Sequence, residues 1–599
     1  MRLHPTRPLS FVLCAIILSM SIPALFAQSS PKREFRGVWI SSVFNLDFPS
    51  RADDFPEAQR KEFITILDAH QQMGINAVFV QIRPSADALY PSALEPWSQW
   101  LTGAQGRVPS PVWNPLQFML EETHKRGMEF HAWFNPFRSV VSSSSSVAES
   151  HISRTRPAWH LTYRSPFRLL NPGLPEVRDY VVSVIMDVVR KYDIDGVHFD
   201  DYFYPYEGTT TQDAETFRQY SRNIGNIADW RRDNVNIMVK MVSDSIRSAK
   251  PFVKFGISPF GIWRSGTPSG TSGLDAYSVV FCDALAWLQA RTVDYIIPQL
   301  YWKLGGAQDY AKLMPWWNAQ ARQAGRQMYS GLGAYRLTDA TWTADDITRQ
   351  VDVNREQNGN GIVFFSSNSL TRNLQGLRTA LVNSAMRSPA LVPTMAWKDS
   401  IAPNPPTNLR AVQSASTRAL TLTWSVPERA RDGDTAALYV VYRFADTAQI
   451  RLDNPASIVA ITPNTTWTDT NPPFRITPGS IQYAVTALDR LRNESSSAQV
   501  RFTTTSVSLQ QGFSTGIQSI SPNPAQNLAA IIFSLEKAAM VQIAVTDNIG
   551  RTVAVPLFAE RSAGAHTIEF STANLANGLY FVRFSAHGVV MARTLVVQK

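Results

Sequence analysis

The chain has 599 residues, of which 44% are hydrophobic and only 18% charged, below the roughly 25% usual for soluble domains. That excludes a disordered polyelectrolyte or a coiled coil, and the length gives room for three or four domains with sizeable cores. The net charge of +9 (pI near 9.4) comes without a Lys/Arg run, so no nucleic-acid partner is indicated; an acidic glycan or envelope polymer would suit such a surface.

At the N-terminus, Arg2 and Arg7 precede an apolar stretch from Leu9 to Phe26 that ends at Ala27. Residues 1–27 read as a secretory signal peptide, and Pro23 argues against a retained membrane anchor. Cys14 lies inside that leader, so Cys282 is the only cysteine of the mature chain. An intrachain disulfide and a Cys-built zinc site are both excluded. No later stretch is long and apolar enough to span a bilayer.

Residues 33–385 alternate short β-rich apolar runs with helical patterns. The runs are FRGVWI from Phe35, INAVFVQI from Ile75, MEFHAWF from Met128, IDGVHFD from Ile194, VKFGIS from Val253, DYIIPQLY from Asp294, QMYSGLG from Gln327 and GIVFFS from Gly361. Helical periodicity runs through Glu62–Gln72, Leu116–Arg126, Glu176–Lys191 and Val235–Ala249. Eight such units predict an α/β fold, a (β/α)8 TIM barrel, followed by two small all-β sandwich domains. The Ser142–Ser146 run falls where a lid over the mouth is expected.

In a parallel barrel, chemistry sits at the C-terminal strand ends, and residues two apart share a face. The strand ends are unusually polar: Trp39 and Ser41, Gln81 and Arg83, Trp133 and Asn135, His198 and Asp200, Ser258, Gln299 and Tyr301, and Ser366 with Asn368. Each buried polar group costs on the order of 1–3 kcal/mol if unpaired, so this set reads as a pocket for a polyhydroxylated ligand. Trp39, Trp97, Trp100, Trp133, Trp263 and Trp302 are placed to stack on sugar faces. The sharpest element is DGVHFDDYFYP from Asp195. Glycoside hydrolysis needs a proton donor and a second carboxylate. Asp200 and Asp201 are the expected catalytic acids, with His198 as a neighbour able to bias or relay a proton, and Tyr202 shares their rim. Asp87, Glu95 and Glu207 are alternative partners, and Arg83, Arg138, Arg264 and Arg336 follow strand ends, where an arginine would bind a carboxylate on a sugar. Expected substrate contacts are Trp39, Gln81, Arg83, Asp87, Trp133, Asn135, Arg138, Tyr202, Gln299, Tyr301 and Trp302. There is no phosphate-cradling Gly loop, HExxH, EF-hand loop or G-x-S-x-G, so neither cofactor nor metal is expected.

Beyond the Pro/Asn-rich linker at Ala402–Pro406, residues 403–505 carry only strand patterns: LTLTW from Leu420, ALYVVYRF from Ala437 and IQYAVTALD from Ile481. With Trp424, Tyr442 and Tyr483 this module resembles fibronectin type III and is expected to act as a spacer. Residues 515–599 carry SPNPA, then D-x-x-G-R ending at Arg551, then NGLYFVRF from Asn577. That order resembles the C-terminal sorting domain of type IX secretion. It implies a diderm host, passage through the periplasm, and delivery by the type IX machinery to the cell surface or the medium.

FRGVWI, QIRPSADALYPS, EPWSQWLTGAQG, HAWFNPFR, LNPG, DGVHFDDYFYP, GISPFGIWR, IIPQLYW and GLGAYR, in this order, resemble the bacterial family-10-like group of glycosyl-hydrolase-like proteins from about Phe35 to Leu381. The resemblance implies a glycosidase acting on peptidoglycan glycan strands stripped of stem peptides. It carries over the acids Asp200 and Asp201, with Gln81, Arg83, Asn135, Gln299 and Tyr301. A fainter likeness to the chitinase signature fails at its catalytic Glu, where Tyr202 stands. Attack by the substrate's own N-acetyl group stays open on this reading, and so does a barrel that binds glycan without cleaving it.

Overall fold

The computed structural model describes residues 30–141, 147–163, 167–414, 419–472, 480–503 and 515–599; the expected leader at 1–27 and the expected lid run Ser142–Ser146 lie outside the described residues. Eight parallel strands form the centre: β1 (Phe35–Ile40), β2 (Ala77–Arg83), β3 (Glu129–Phe134), β4 (Gly196–Phe199), β5 (Lys254–Ile257), β6 (Tyr295–Ile296), β7 (Gln327–Met328 and, past Tyr329, Ser330–Leu332) and β8 (Gly361–Phe364). All eight apolar runs of the sequence become these strands. Each is followed by a helix: α1 (Pro56–Gln72), α2 (Pro115–Lys125), α3 (Pro175–Lys191), α4 (Ile227–Ala249), α5 (Ala284–Gln289), α6 (Tyr310–Gln323), α7 (Ala344–Glu356) and α8 (Leu377–Asn383). Local chemistry starts the helices. Proline opens α1, α2 and α3, where a missing N–H costs nothing, Asn226 caps α4, and Thr343 and Asp346 form a capping box on α7.

The barrel closes through β7. Its first piece pairs with β6 (Gln327 opposite Tyr295) and its second with β8 (Gly331 opposite Val363), so one strand hands over between the two edges of the sheet. The interior departs from the aliphatic layers usual in such barrels. Phe35, Trp39, Phe79, Trp133, Tyr295 and Tyr329 fill it, with Phe35 stacked on Tyr329 at 4.0 Å. Room for these rings comes from facing glycines: a Cβ on Gly37 would stand 2.8 Å from Phe79, one on Gly196 2.3 Å from His131, and one on Gly256 2.1 Å from Tyr295. Outside the strands, a second apolar layer of Val, Ile, Leu and Met packs against the helices, and buried Cys282 belongs to it.

The next module has a three-stranded sheet (Thr407–Gln413, Leu420–Ser425, Thr466–Asp469) and a four-stranded one (Leu438–Ala445, Ile458–Thr462, Ser480–Leu488, Ala498–Thr503). Leu422, Trp424, Tyr439, Val441 and Tyr483 fill the space between them. The four-stranded sheet is buried on its other face too, where Leu438, Val440, Tyr442 and Leu488 pack with Leu391 from the segment leaving the barrel. Lys32 pairs with Glu494 at 2.6 Å, Arg490 with Asp193 at 2.5 Å and Arg492 with Glu129 at 3.2 Å. The module therefore docks on the N-terminal base of the barrel as part of the same compact unit, which corrects the expectation of a spacer.

Residues 515–599 form a separate unit of three antiparallel strands (Gly516–Ser521, Leu528–Leu535, Gly564–Ser571) and four more (Ala539–Thr546, Thr552–Arg561, Gly578–Ala586, Val589–Val597). Phe533, Ile543, Val582, Phe584 and Leu595 form its core. Among the described residues, no helix is long and apolar enough to cross a membrane.

Candidate active site

A cavity of about 280 Å3 opens at the C-terminal mouth of the barrel. Asp200 and Asp201, directly after β4, line it together with Trp39, Gln81, Trp133, Arg138, Gln299 and Tyr301. Its rim adds Phe44, Tyr335 and Phe365.

The polar network around Asp200 has only one possible direction. The backbone N–H groups of Ser42 and Val43 can only donate, and both meet Gln81 Oε1, at 3.0 and 2.9 Å. Gln81 Nε2 must then donate to Asn135 Oδ1 (2.6 Å), which turns Asn135 Nδ2 toward Asp200 Oδ2 in a short hydrogen bond. The Tyr202 backbone N–H donates to Asp200 Oδ1 at 3.2 Å, and the Arg138 guanidinium lies 3.7 Å away, held over the Tyr202 ring at 4.9 Å. Asp201 accepts from Gln299 Nε2 at 3.0 Å and from the Tyr206 hydroxyl, both neutral donors.

Burial raises both acids above the ordinary carboxylate range. At Asp200 the Arg138 charge, the Tyr202 N–H, Asn135 and Trp133 oppose that rise. Asp201 also feels the negative charge of Asp200 and is pushed up to about 6, against weaker help from Tyr206 and Gln299. Two neighbouring carboxyls in unequal surroundings do not titrate independently, and the proton on one depends on the charge of the other.

The remaining expected site residues lie elsewhere. His198 makes no hydrogen bond to Asp200: its Nε2 takes the Trp39 indole N–H at 3.1 Å and its Nδ1 faces the Tyr295 hydroxyl at 3.4 Å, so it stands below the floor with both nitrogens engaged. Arg83 is fully buried outside the cavity, because a bulge between Gln81 and Arg83 breaks the strand alternation and turns it toward Glu95 (2.5 Å). That pair also removes Glu95 from the candidate acids. Asp87 is buried, accepting from the Ser85 N–H (3.1 Å) and Gln105 (3.0 Å), and burial lifts it to about 7. Glu207 is exposed and does not line the cavity. Asn135 and Tyr202 act one step back, on Asp200 and Arg138 respectively. Trp302 packs against Phe260 at 5.5 Å instead of facing the cavity. Of the other tryptophans, Trp100 meets Phe44 at 5.0 Å, and Trp263 packs between Tyr277 and Trp316. Tyr206, in a turn, and Phe44 and Tyr335, in the short 3-10 segments Val43–Asn45 and Ala334–Thr338, are not singled out from sequence, since no periodicity orients such short pieces. The one grouping of three metal-competent side chains among the described residues is Asp399, Asp432 and Asp434, none of them at the mouth.

A closed parallel barrel with paired acids at its strand ends under an aromatic rim defines a TIM-barrel glycoside hydrolase. The chain belongs to the family described as Glycosyl hydrolase-like 10, which matches residues 34–347. It is 39% identical over 510 residues to Glycosyl hydrolase YngK of Bacillus subtilis, covering 80% of this chain and 95% of that protein. It is also 38% identical over 363 residues to Glycosyl hydrolase DigH of Escherichia coli, covering 55% and 82%. Among solved structures, the PgaB glycoside hydrolase domain of Bordetella bronchiseptica aligns with a TM-score of 0.39 and 14% identity, over 58% of this chain and 99% of that one. Residues 519–598 match the secretion system C-terminal sorting domain, so the chain ends in a type IX sorting unit.

Proposed function

We propose that the mouth cleaves glycosidic bonds in a polymer containing N-acetylhexosamine, the substrate being peptidoglycan glycan strands without stem peptides. The observation that carries this reading is the unequal pair Asp200 and Asp201, one beside a guanidinium and the other beside neutral donors only. Asp201 in its protonated form donates to the leaving glycosidic oxygen as the C1–O bond breaks. Asp200, in its anionic form beside Arg138 and Asn135, steadies the positive charge that develops at the sugar C1 and ring oxygen. Water, or the sugar's own acetamido oxygen followed by water, completes substitution at C1, and the water's proton returns to Asp201. Trp39, Trp133, Tyr301 and Phe365 offer faces for sugar rings. Arg138 offers N–H donors to the lactyl carboxylate of muramic acid.

The leader 1–27 directs export to the periplasm of a diderm cell, and the 515–599 unit then passes the chain to type IX machinery. The 403–505 module is of fibronectin type III kind. Incubation with peptide-free peptidoglycan strands beside chitin and xylan, with products read by mass, tests the substrate. Release from the peptidoglycan strands alone is the expected result; wild-type turnover retained in Asp200→Asn would remove the catalytic assignment. Binding without any release would show a glycan-binding barrel instead.

A further inference from the structure

A chain of buried polar groups crosses the barrel from its base to its mouth, and its direction follows from donor chemistry alone. The Trp39 indole N–H can only donate, so His198 Nε2 accepts it at 3.1 Å. A neutral His198 then carries its hydrogen on Nδ1, which points at the Tyr295 oxygen at 3.4 Å. The Tyr295 O–H is thereby free to donate to His131 Nδ1 at 2.9 Å. His131 in turn carries its hydrogen on Nε2, facing Glu129 Oε2 at 3.1 Å. Glu129 terminates the chain as a carboxylate, with Lys254 Nζ 2.7 Å from both oxygens and Arg492 Nε 3.2 Å from Oε1. Burial keeps both imidazoles neutral, and although burial alone would raise Glu129, Lys254, His131 and Arg492 hold it at about 2.

Two features show that this line is built in. Gly196 and Gly256 leave the space that His131 and Tyr295 occupy, since any side chain there would collide with those rings. The charged end is completed from outside the barrel: Arg492 belongs to the turn after Ser480–Leu488 in the docked module. Beside it lies a cavity of about 380 Å3 between barrel and module, lined by His124, Asp193, Asp195, Arg490 and Arg492.

We propose that the docked module is a working part of the hydrolase, in which Arg492 anchors the axial chain Glu129–His131–Tyr295–His198 and thereby sets the orientation of Trp39, the indole that walls the glycan cavity. These are positioning residues; none of the five touches the mouth. Removing Arg492 leaves Lys254 as the one cation paired with Glu129 among the described residues and opens the chain's end to water from the junction cavity, which loosens the carboxylate on which the line of hydrogen bonds terminates. The proposal rests on the mouth cavity being the glycan site.

The test uses the full chain and two readouts: the Trp39 indole N–H resonance, identified by its loss in Trp39→Phe, and kcat and KM on peptide-free peptidoglycan strands. Tyr295→Phe, which deletes one hydroxyl from the middle of the chain, and Arg492→Met should both move that resonance upfield. Both should raise KM about three- to tenfold, with kcat changed less. Arg492→Lys should restore both readouts. If Arg492→Met does not fold, Arg492→Gln takes its place with the same expectation. A Trp39 resonance that stays in place in Tyr295→Phe, or wild-type values of both readouts without the Arg492 charge, overturns the proposal. A resonance that moves as expected in a protein whose wild type cleaves no strands supports the axial chain and sinks the substrate reading instead.

Discussion

Asp200 and Asp201 are adjacent in sequence, share a strand end, and differ only in what surrounds them. The consequence is a pH dependence with a defined sign. Asp201 must be protonated to donate, and its carboxyl, raised to about 6 by burial and by Asp200, loses that proton as pH rises. We therefore expect kcat on glycan strands to fall about tenfold per pH unit above roughly 6. Asp201→Asn should remove this limb together with several orders of magnitude of turnover, which a pH–rate profile of both proteins checks. Asp87 illustrates the same physics without catalysis. Its native carboxyl, at about 7, lies above the unfolded value, so the folded state holds the extra proton and stability declines as pH rises from about 4 through 7. Asp87→Asn is neutral at every pH, so its thermal midpoint should exceed that of the wild type at pH 8, by the equivalent of a few kcal/mol, and match it near pH 4. At this scale Asp200 was legible in the sequence, because strand alternation pointed it into the mouth. Arg83 was not, because a single bulged residue reverses its direction, and Tyr206 was not, because a loop brings it back to Asp201.

At the scale of elements, the barrel strands read directly from their apolar runs, since a parallel strand buried on both faces has few polar positions. The strand Leu438–Ala445 in the module is nearly as continuous for the same reason: one face meets the module's own core and the other meets the barrel base. Sequence showed that strand without showing what covered its second face. The ring-filled interior was equally hidden, because pairing a ring on one strand with a glycine on the next depends on register. Gly256→Ala places a methyl group 2.1 Å from the Tyr295 ring, whereas Gly225→Ala meets open space. We expect Gly256→Ala to lower stability by about 1–3 kcal/mol or more and Gly225→Ala to stay within about 0.5 kcal/mol, measured by urea unfolding.

For the whole molecule, the structure separates what the enzyme needs from what its export needs. Glu494, Arg490 and Arg492 tie the module to the barrel, while residues 515–599 form a unit with its own core. A chain ending at Thr503 is expected to keep the thermal midpoint and the hydrolytic rate of the full protein but to remain in the periplasm. A chain ending at Asp399 should lose at least several degrees of thermal midpoint, because buried Glu129 and the apolar face around Leu391 lose their cover. Calorimetry and fractionation of an expressing cell distinguish the two truncations. The three-part organisation could be expected from composition and motifs; that the first two parts share a foundation could not, since the ion pairs joining them span up to 462 positions of sequence.

Cys282 is sealed in the layer between strands and helices, and burial raises its thiol well above the ordinary value. The other cysteine of the sequence, Cys14, falls in the stretch expected to be a cleaved leader. In a chain beginning after Ala27, an alkylating dye can react at this sulfur alone, and only when the cylinder breathes open. The rate of labelling becomes a built-in clock for the rarest motions of the enzyme, available without introducing any foreign group.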